Sequence, residues 1–133
     1  MMFLIDTNIC IYIINDHPPE VIQKFREIGI GNIYISSITV SELQYGACKS
    51  KQIKKHLKRL DEFLIPFEII SYDESAANYY GRIRSYLEKQ GNVIGPFDML
   101  VAAHALSENL TLITKSEKEF KRVKSLKVEN WII

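Results

Sequence analysis

Four short apolar runs along the chain are each followed by an acidic residue, and this pattern strongly restricts the fold. The acids are Asp6 after Phe3-Leu4-Ile5, Glu42 beyond Ile33-Tyr34-Ile35, Asp98 after Val93-Ile94, and Glu119 beyond Leu112-Ile113. In a parallel α/β sheet, the points where strands give way to helices lie along one edge, so residues distant in sequence meet there. Several carboxylates at one edge remain ionised together only if a cation such as Mg²⁺ neutralises them. The pattern therefore predicts a metal site of the kind that phosphodiester enzymes use.

The rest of the chain supports an alternation of strands and helices. Strands are predicted at residues 2–5, 32–36, 67–70, 111–114 and 127–131. Helices are predicted after Asp6 to about residue 14, at 19–28, from Thr39, at 51–64, at 73–90 and at 97–107, with a helical turn at 116–120. This alternation favours an α/β fold: a three-layer α/β/α sandwich around a mainly parallel sheet of about five strands. We expect residues 1–133 to form a single domain.

The composition of the chain constrains how it could bind a polyanion and in which compartment it acts. The formal net charge is only +1, so a polyanion would have to be recruited by local basic patches rather than by an overall field. Cys10 and Cys48 have no metal-ligand spacing and fit a reducing cytosol as small buried hydrophobic residues. No apolar stretch approaches the roughly 20 residues that span a membrane. We expect a cytoplasmic protein without a membrane segment.

Each acid, taken singly, also has a structural explanation. Thr39 with Glu42 and Ser116 with Glu119 read as capping boxes, while Asp6 and Asp98 fall at helix N-termini. Their shared topological position favours a joint role, and capping is compatible with metal binding. Asp6 ends a strand that should be central, where a buried unpaired carboxylate is costly. A metal site explains the set better than four independent caps.

Several segments together resemble a known family. They are Phe3-Leu4-Ile5-Asp6-Thr7-Asn8, the run from Ser37 to Gly46, Ile94-Gly95-Pro96-Phe97-Asp98 with Ala102-Ala103-His104-Ala105, Leu112-Ile113-Thr114 through Glu119-Phe120, and Val128-Glu129-Asn130-Trp131. In this order and spacing the chain resembles the PIN-domain ribonucleases and, within them, the VapC toxins of bacterial toxin–antitoxin pairs. The resemblance extends over essentially the whole chain, and its PIN-like fold agrees with the sandwich expected from the alternation.

The resemblance implies roles for individual residues. The catalytic acids would be Asp6, Glu42, Asp98 and Glu119, of which Asp6, Glu42 and Asp98 would bind Mg²⁺ or, in its place, Mn²⁺. The residues that orient them would be Asn8, Thr114 and Ser116. Members of the family often carry Asp or Asn at the position of Ser116, so here Glu119 is the candidate for the fourth acid. The implied reaction is hydrolysis of an RNA phosphodiester by a metal-activated water, without a covalent enzyme intermediate.

The resemblance also implies partners. We expect a cognate VapB-type antitoxin that docks against the exposed part of Ile9–Ile14, a homodimer, and contact with DNA only through the antitoxin. Ile94–Asp98 is most similar to members that cut the anticodon region of initiator tRNA. The alternative is a catalytically weak PIN-like module that binds RNA or protein. A phosphoacceptor receiver domain fits poorly, because its first strand usually ends in an acidic pair whereas this one ends in Asp6 alone.

Basic and aromatic residues add further expectations. The candidate RNA contacts are Lys115, Lys118, Lys121 and Arg122, which surround Glu119. The basic stretch from residue 49 to 59 reads mainly as the solvated face of one helix, with an RNA backbone track as the alternative. We expect a structural, hydrogen-bonded role for His104. Core packing is expected for Tyr79, Tyr80 and Tyr86 because of their helical spacing.

Overall fold

The computed structural model describes residues 2–133, which form a parallel sheet with helices on both of its faces. The strands are β1 (Phe3–Ile5), β2 (Ile33–Ser36), β3 (Glu68–Ile70), β4 (Thr111–Ile113) and β5 (Val128–Glu129). The helices are α1 (Thr7–Ile14), α2 (Pro19–Ile28), α3 (Ser37–Cys48), α4 (Ile53–Leu64), α5 (Glu74–Lys89), α6 (Pro96–Ser107) and α7 (Glu117–Phe120), with a 3₁₀ turn at Ile30–Asn32.

The strand order places β1 in the centre of the sheet. The five strands of the described chain run in the order β3-β2-β1-β4-β5, and every neighbouring pair is parallel. Phe3 of β1 pairs with Ile33 on one side and with Thr111 on the other. All three residues of β1 are buried, as expected for a strand covered on both faces. The prediction of a three-layer α/β/α fold is confirmed.

Two hydrophobic clusters fill the space between the sheet and its helices. Leu4 and Leu112 face a cluster built with residues of α5, α6 and α7. Phe3, Ile5 and Ile113 face the opposite cluster, which residues of α1 to α4 complete. Neighbouring residues of β1 thus point to opposite faces, and both faces of the sheet are covered by helices.

Several local predictions differ from the structure. Helix α3 begins at Ser37 rather than near Thr39, because the Ser36 hydroxyl accepts the backbone N–H of Ile38 and caps the helix earlier. The predicted capping box with Thr39 is therefore wrong, and this residue lies buried within the first turns of α3. Strand β5 is limited to Val128–Glu129.

Some side chains predicted to be internal lie at the surface. Tyr79 and Tyr86 are exposed on α5, whose buried residues are Ala76, Ile83 and Leu87, so core packing was wrong for these two tyrosines. Tyr80 does pack against the core as a half-buried residue. Cys10 is buried as expected, whereas Cys48 at the end of α3 is exposed. In residues 2–133 no helix is long and apolar enough to cross a membrane.

Candidate metal and active site

Asp6 lies at the carboxyl end of the central strand, with only 8% of its surface exposed. Its Oδ1 accepts the backbone N–H of Ile9 at 3.0 Å, so the side chain also caps α1. Burial raises the pKa of Asp6 from 3.8 to about 6. The charges on Asp98 and Glu42 raise this pKa further. Asp6 is thus a buried acid whose ionisation is opposed by its surroundings.

Thr114 supports Asp6 from the neighbouring strand. It follows β4, is fully buried, and its hydroxyl lowers the pKa of Asp6 by hydrogen bonding. The hydroxyl oxygen accepts the backbone N–H of Ser116 at 3.0 Å. Because the oxygen accepts this backbone donor, the hydroxyl proton of Thr114 remains available to a neighbouring carboxylate. The role of Thr114 in orienting an acid is consistent with this arrangement and stays a prediction.

Ser116 and Asn8 contribute less than Thr114 to the arrangement. Ser116 acts through its backbone N–H, and within residues 2–133 its side chain makes no capping bond at the start of α7. The predicted capping box of Ser116 with Glu119 is therefore wrong. Asn8 is the second residue of α1 and is half-buried beside Asp6.

Glu42 lies in the second turn of α3 and is held by a hydrogen bond from another helix. The hydroxyl of Thr7 donates to Oε1 of Glu42 at 2.8 Å, although the two residues are 35 positions apart. Thr7 directly follows Asp6, so one short segment of chain provides one acid and positions a second. Thr7 was not among the predicted site residues, although its place directly after the first acid was a usable signal.

Asp98 and Glu119 approach from the other side of the sheet. Asp98 is half-buried in the first turn of α6. Its carboxylate folds back over Gly95, so that a Cβ atom at position 95 would lie 3.5 Å from Oδ2 of Asp98. Desolvation raises the pKa of Asp98, and the charges of Glu42 and then Glu119 raise it further. Glu119 lies in α7 and is half-buried. The four acids therefore interact electrostatically at one edge of the sheet.

The chemistry of these residues fits a divalent cation. The donors are hard carboxylate oxygens, which suit Mg²⁺ and Mn²⁺. Burial, and then the charges of neighbouring carboxylates, raise the pKa values of Asp6 and Asp98, and a bound cation would offset both effects. In the described part of the chain, no three His, Cys, Asp or Glu side chains are gathered closely enough to form a ready ligand cluster. To bind one ion together, the carboxylates would therefore have to lie closer to one another than they do in this structure.

A buried polar contact joins the helices that carry Glu42 and Asp98. Oγ of Ser36, the cap of α3, lies 2.7 Å from Nδ1 of His104 in α6. Burial lowers the pKa of His104, so the ring is neutral and Nδ1 can accept the Ser36 proton. Nε2 has no hydrogen-bond partner within residues 2–133. The structural role expected for His104 agrees with this geometry.

The four basic residues predicted to contact RNA lie along the same edge, and they differ in exposure and in the contacts they already make. Lys115 and Lys118 are exposed, and the Lys115 ammonium lies 5.9 Å from the ring centroid of Tyr12 in α1. Lys121 forms an ion pair with Glu117 at 3.5 Å. Arg122 is half-buried and donates to the carbonyl of Val93 at 3.3 Å. Lys115 and Lys118 are therefore the cations freest to contact phosphate.

An apolar groove adjoins the acidic edge. It has a volume of about 250 Å³ and lies between α1, α3 and α4. Its apolar walls include Ile11, Ile14 and Leu60, while Glu42 and Arg59 lie among its polar residues. The guanidinium of Arg59 donates to the carbonyl of Ile14 at 3.1 Å, which ties α4 to the end of α1. The groove includes Ile11 and Ile14, which belong to the α1 surface predicted to receive a docking partner.

Comparison with known sequences gives a consistent result. A family model described as PIN domain matches residues 3–126. The chain is 46% identical over 132 residues to ribonuclease VapC2 of Rickettsia felis, with 98% of each chain covered. It is 40% identical over 131 residues to the tRNA(fMet)-specific endonuclease VapC of Shigella flexneri, again with 98% of each covered.

Comparison with solved structures agrees with the sequence comparison. A chain of VapBC2 from Rickettsia felis, bound to a DNA fragment from the promoter, superposes with a TM-score of 0.92 at 43% identity. That alignment covers 99% of this chain and all of the other. DNA-bound VapBC from Salmonella typhimurium gives a TM-score of 0.93 at 36% identity, with 99% of each chain covered.

Proposed function

Because the chain belongs to the PIN-domain family, we propose that it is the ribonuclease toxin of a VapBC-type toxin–antitoxin pair. The observation that carries this proposal is the placement of Asp6, Glu42 and Asp98 at one edge of the sheet, with Asp6 buried at the end of the central strand and Thr7 of the same segment bonded to Glu42. A protein that only bound a partner would gain nothing from placing three mutually repelling acids there, one of them buried at the end of the central strand. A phosphodiester hydrolase needs such acids to hold a cation.

PIN-domain ribonucleases generally depend on divalent metal ions, and we assign the metal here to Mg²⁺, with Mn²⁺ as a substitute. When bound, the ion lowers the pKa of a coordinated water and stabilises negative charge on the scissile phosphate. Asp6, Glu42 and Asp98 would hold the ion, and Glu119 would act as the fourth acid. Thr114 and Thr7 would restrain the side chains of Asp6 and Glu42 at the edge of the sheet where the ion would bind.

We propose that the substrate is RNA, with the anticodon region of initiator tRNA as its preferred target. Two relatives named tRNA(fMet)-specific endonuclease VapC, from Shigella flexneri and Salmonella typhimurium, share 40% and 36% identity with this chain over 98% of its length. Lys115 and Lys118 lie beside the acids and are free to neutralise neighbouring phosphates. Because the net charge is only +1, these local cations would provide most of the attraction for RNA.

The proposed protein partner is a VapB-type antitoxin that occupies the groove between α1, α3 and α4. The groove is mainly apolar and begins at Glu42, so a segment lying in it would block access to the acids. We further propose a homodimer that acts in the cytoplasm, with DNA contacted through the antitoxin. In the related structures, the complexes from Rickettsia felis and Salmonella typhimurium are bound to DNA.

The test is cleavage of total RNA, and then of purified tRNAs, by the antitoxin-free protein in Mg²⁺, Mn²⁺ or EDTA. Asp98→Asn keeps the shape of the side chain but removes its charge, so it should abolish cleavage. Asp61→Asn, on the exposed face of α4, is the matched control and should cleave normally. Discrete metal-dependent products that are absent with Asp98→Asn would support the nuclease and reveal its target.

The opposite results would favour the alternative of a catalytically weak module. Normal turnover by a folded Asp98→Asn protein would refute the assignment of the site. Failure of the folded parent protein to cleave either RNA pool, together with retained RNA binding, would identify a binding module instead.

A further inference from the structure

Two large aromatic side chains stand at the surface beside the proposed catalytic acids. Phe97, which directly precedes Asp98, is 52% exposed, and Tyr45, one turn beyond Glu42, is 66% exposed. Neither side chain belongs to either hydrophobic cluster. The buried face of α6 is formed instead by residues such as Met99, Ala102 and Ala103. Packing therefore does not explain why position 97 carries a large aromatic residue.

The geometry of α3 and α6 directs both rings towards the acidic edge. Side chains on a helix tilt towards its N-terminus, so Tyr45 leans back over the turn that carries Glu42. Residues three and four apart are neighbours on a helix surface, which makes Glu42, Tyr45 and Lys49 one stripe of α3. Phe97 is the second residue of α6 and tilts beyond the start of that helix, at the same edge as Asp98.

The Tyr45 ring is accompanied by a cation. The ammonium of Lys49 lies 4.9 Å from the ring centroid. A nucleotide presents a flat aromatic base and an anionic phosphate close together, and this pair offers a complementary ring and positive charge. A purely apolar protein segment would gain nothing from the ammonium. Charge complementarity and continuity with the acidic edge therefore favour RNA as the molecule that covers these rings.

We propose that Phe97 and Tyr45 stack unpaired RNA bases next to the scissile phosphate, while Lys49 contacts the adjoining phosphate. The inference rests on the proposed ribonuclease function and specifies how its substrate is held. Stacking requires bases that have left a double helix, so this surface selects single-stranded loops over duplex RNA. The surface would thus separate single-stranded from duplex RNA but would accept any base, because every base has an aromatic face.

The test uses oligouridylate carrying one 2-aminopurine, mixed with the full chain in EDTA so that metal-dependent cleavage is prevented. Stacking quenches the fluorescence of 2-aminopurine. Phe97→Ala and Tyr45→Ala should each weaken binding by about 5- to 100-fold and reduce the quenching. Phe97→Trp and Tyr45→Phe should retain both. Tyr86→Ala, which removes an exposed aromatic side chain from α5, is the matched control and should bind like the parent.

Lys49 has a separate signature. Lys49→Ala should lower the slope of binding affinity against salt concentration by about 0.7, the value for one phosphate contact to a single strand. Lys89→Ala, at the last turn of α5, should leave that slope unchanged. Retention of the parent slope by Lys49→Ala would remove the phosphate contact from the proposal.

The outcomes separate this inference from the proposed function. If the parent protein quenches the probe and Phe97→Ala and Tyr45→Ala do not, but no RNA is cleaved, the base-stacking surface stands and the ribonuclease proposal fails. If RNA is cleaved while Phe97→Ala and Tyr45→Ala bind and cleave like the parent, the ribonuclease stands and the stacking surface is refuted. Unchanged RNA affinity combined with lost antitoxin binding would assign the rings to a protein partner and equally overturn the inference.

Discussion

Replacement of Asp6 by Asn should stabilise the metal-free protein while removing its activity. The pKa of Asp6 rises from 3.8 to about 6 on folding, chiefly because the carboxylate is buried. A shift of about two units corresponds to about 3 kcal/mol of folding free energy lost when the group is ionised. Asn has nearly the same shape, has no charge, and can still accept the N–H of Ile9. It therefore relieves most of this cost.

The pH dependence follows from the direction of the shift. The folded pKa lies above the unfolded value, so between about pH 4 and 6 the folded state binds more protons than the unfolded state. The contribution of Asp6 to stability is thus greatest below about pH 4, falls as the pH rises to about 6, and remains low above it. The advantage of Asp6→Asn should be absent at pH 4 and fully developed at pH 7.5.

Urea and thermal unfolding in EDTA would measure the effect. At pH 7.5 we expect Asp6→Asn to gain about 2–3 kcal/mol, or roughly 10 °C in Tm for a chain of this size. Asp61→Asn, an exposed aspartate on α4, should stay within about 0.5 kcal/mol of the parent. Saturating Mg²⁺ should stabilise the parent by about 2–3 kcal/mol and Asp6→Asn by less. A loss of stability in Asp6→Asn at pH 7.5 in EDTA would refute the reasoning from burial.

Three further substitutions test other contacts. Thr7→Val removes the hydrogen bond to Glu42 and should lower kcat about tenfold at a stability cost of about 1 kcal/mol; unchanged kcat would show that Glu42 needs no such support. His104→Leu leaves the Ser36 hydroxyl without its acceptor and should lower the free energy of unfolding, measured in urea, by about 2–3 kcal/mol. A variant as stable as the parent would contradict this prediction. Ile11→Lys places a charge in the apolar groove. It should weaken binding of the proposed antitoxin about tenfold or more, as measured by calorimetry, and leave RNA cleavage unaffected. An unchanged affinity would mean that the antitoxin binds elsewhere.

The general fold was predictable because its signals are local and repeated. Each buried strand is a short apolar run, and each is followed by residues with helical periodicity, so the parallel three-layer arrangement follows from the alternation. Asp6 and Asp73 were also predictable as helix caps, since each accepts the backbone N–H three residues ahead. Asp6 was predicted at the end of the central strand, and the other three acids lie in the first two turns of α3, α6 and α7, with Asp98 preceded by a loop rather than by a strand. Their role as metal ligands stays a prediction.

The differences arise where two signals compete or where a contact spans many residues. Ser36 and Thr39 both resemble helix caps, and only the structure shows that Ser36 takes this role because His104 also binds its hydroxyl. The spacing of Tyr79 fits the inner face of α5, yet the space there is filled by Ile83 and Leu87. The bond from Thr7 to Glu42 joins two helices and leaves no periodic signal.

Because β4 lies beside β1, the acidic edge of the sheet can form only late in the synthesis of the chain. Asp6 is among the first residues to be translated, but Thr114, whose hydroxyl lowers the pKa of Asp6, comes 108 positions later. Strand β4, which pairs with β1, is translated just before Thr114. At about 5–20 residues per second, this interval is roughly 5–20 s. Asp98 and Glu119 are likewise translated late. The proposed ribonuclease therefore cannot assemble its set of acids until the last quarter of the chain has left the ribosome.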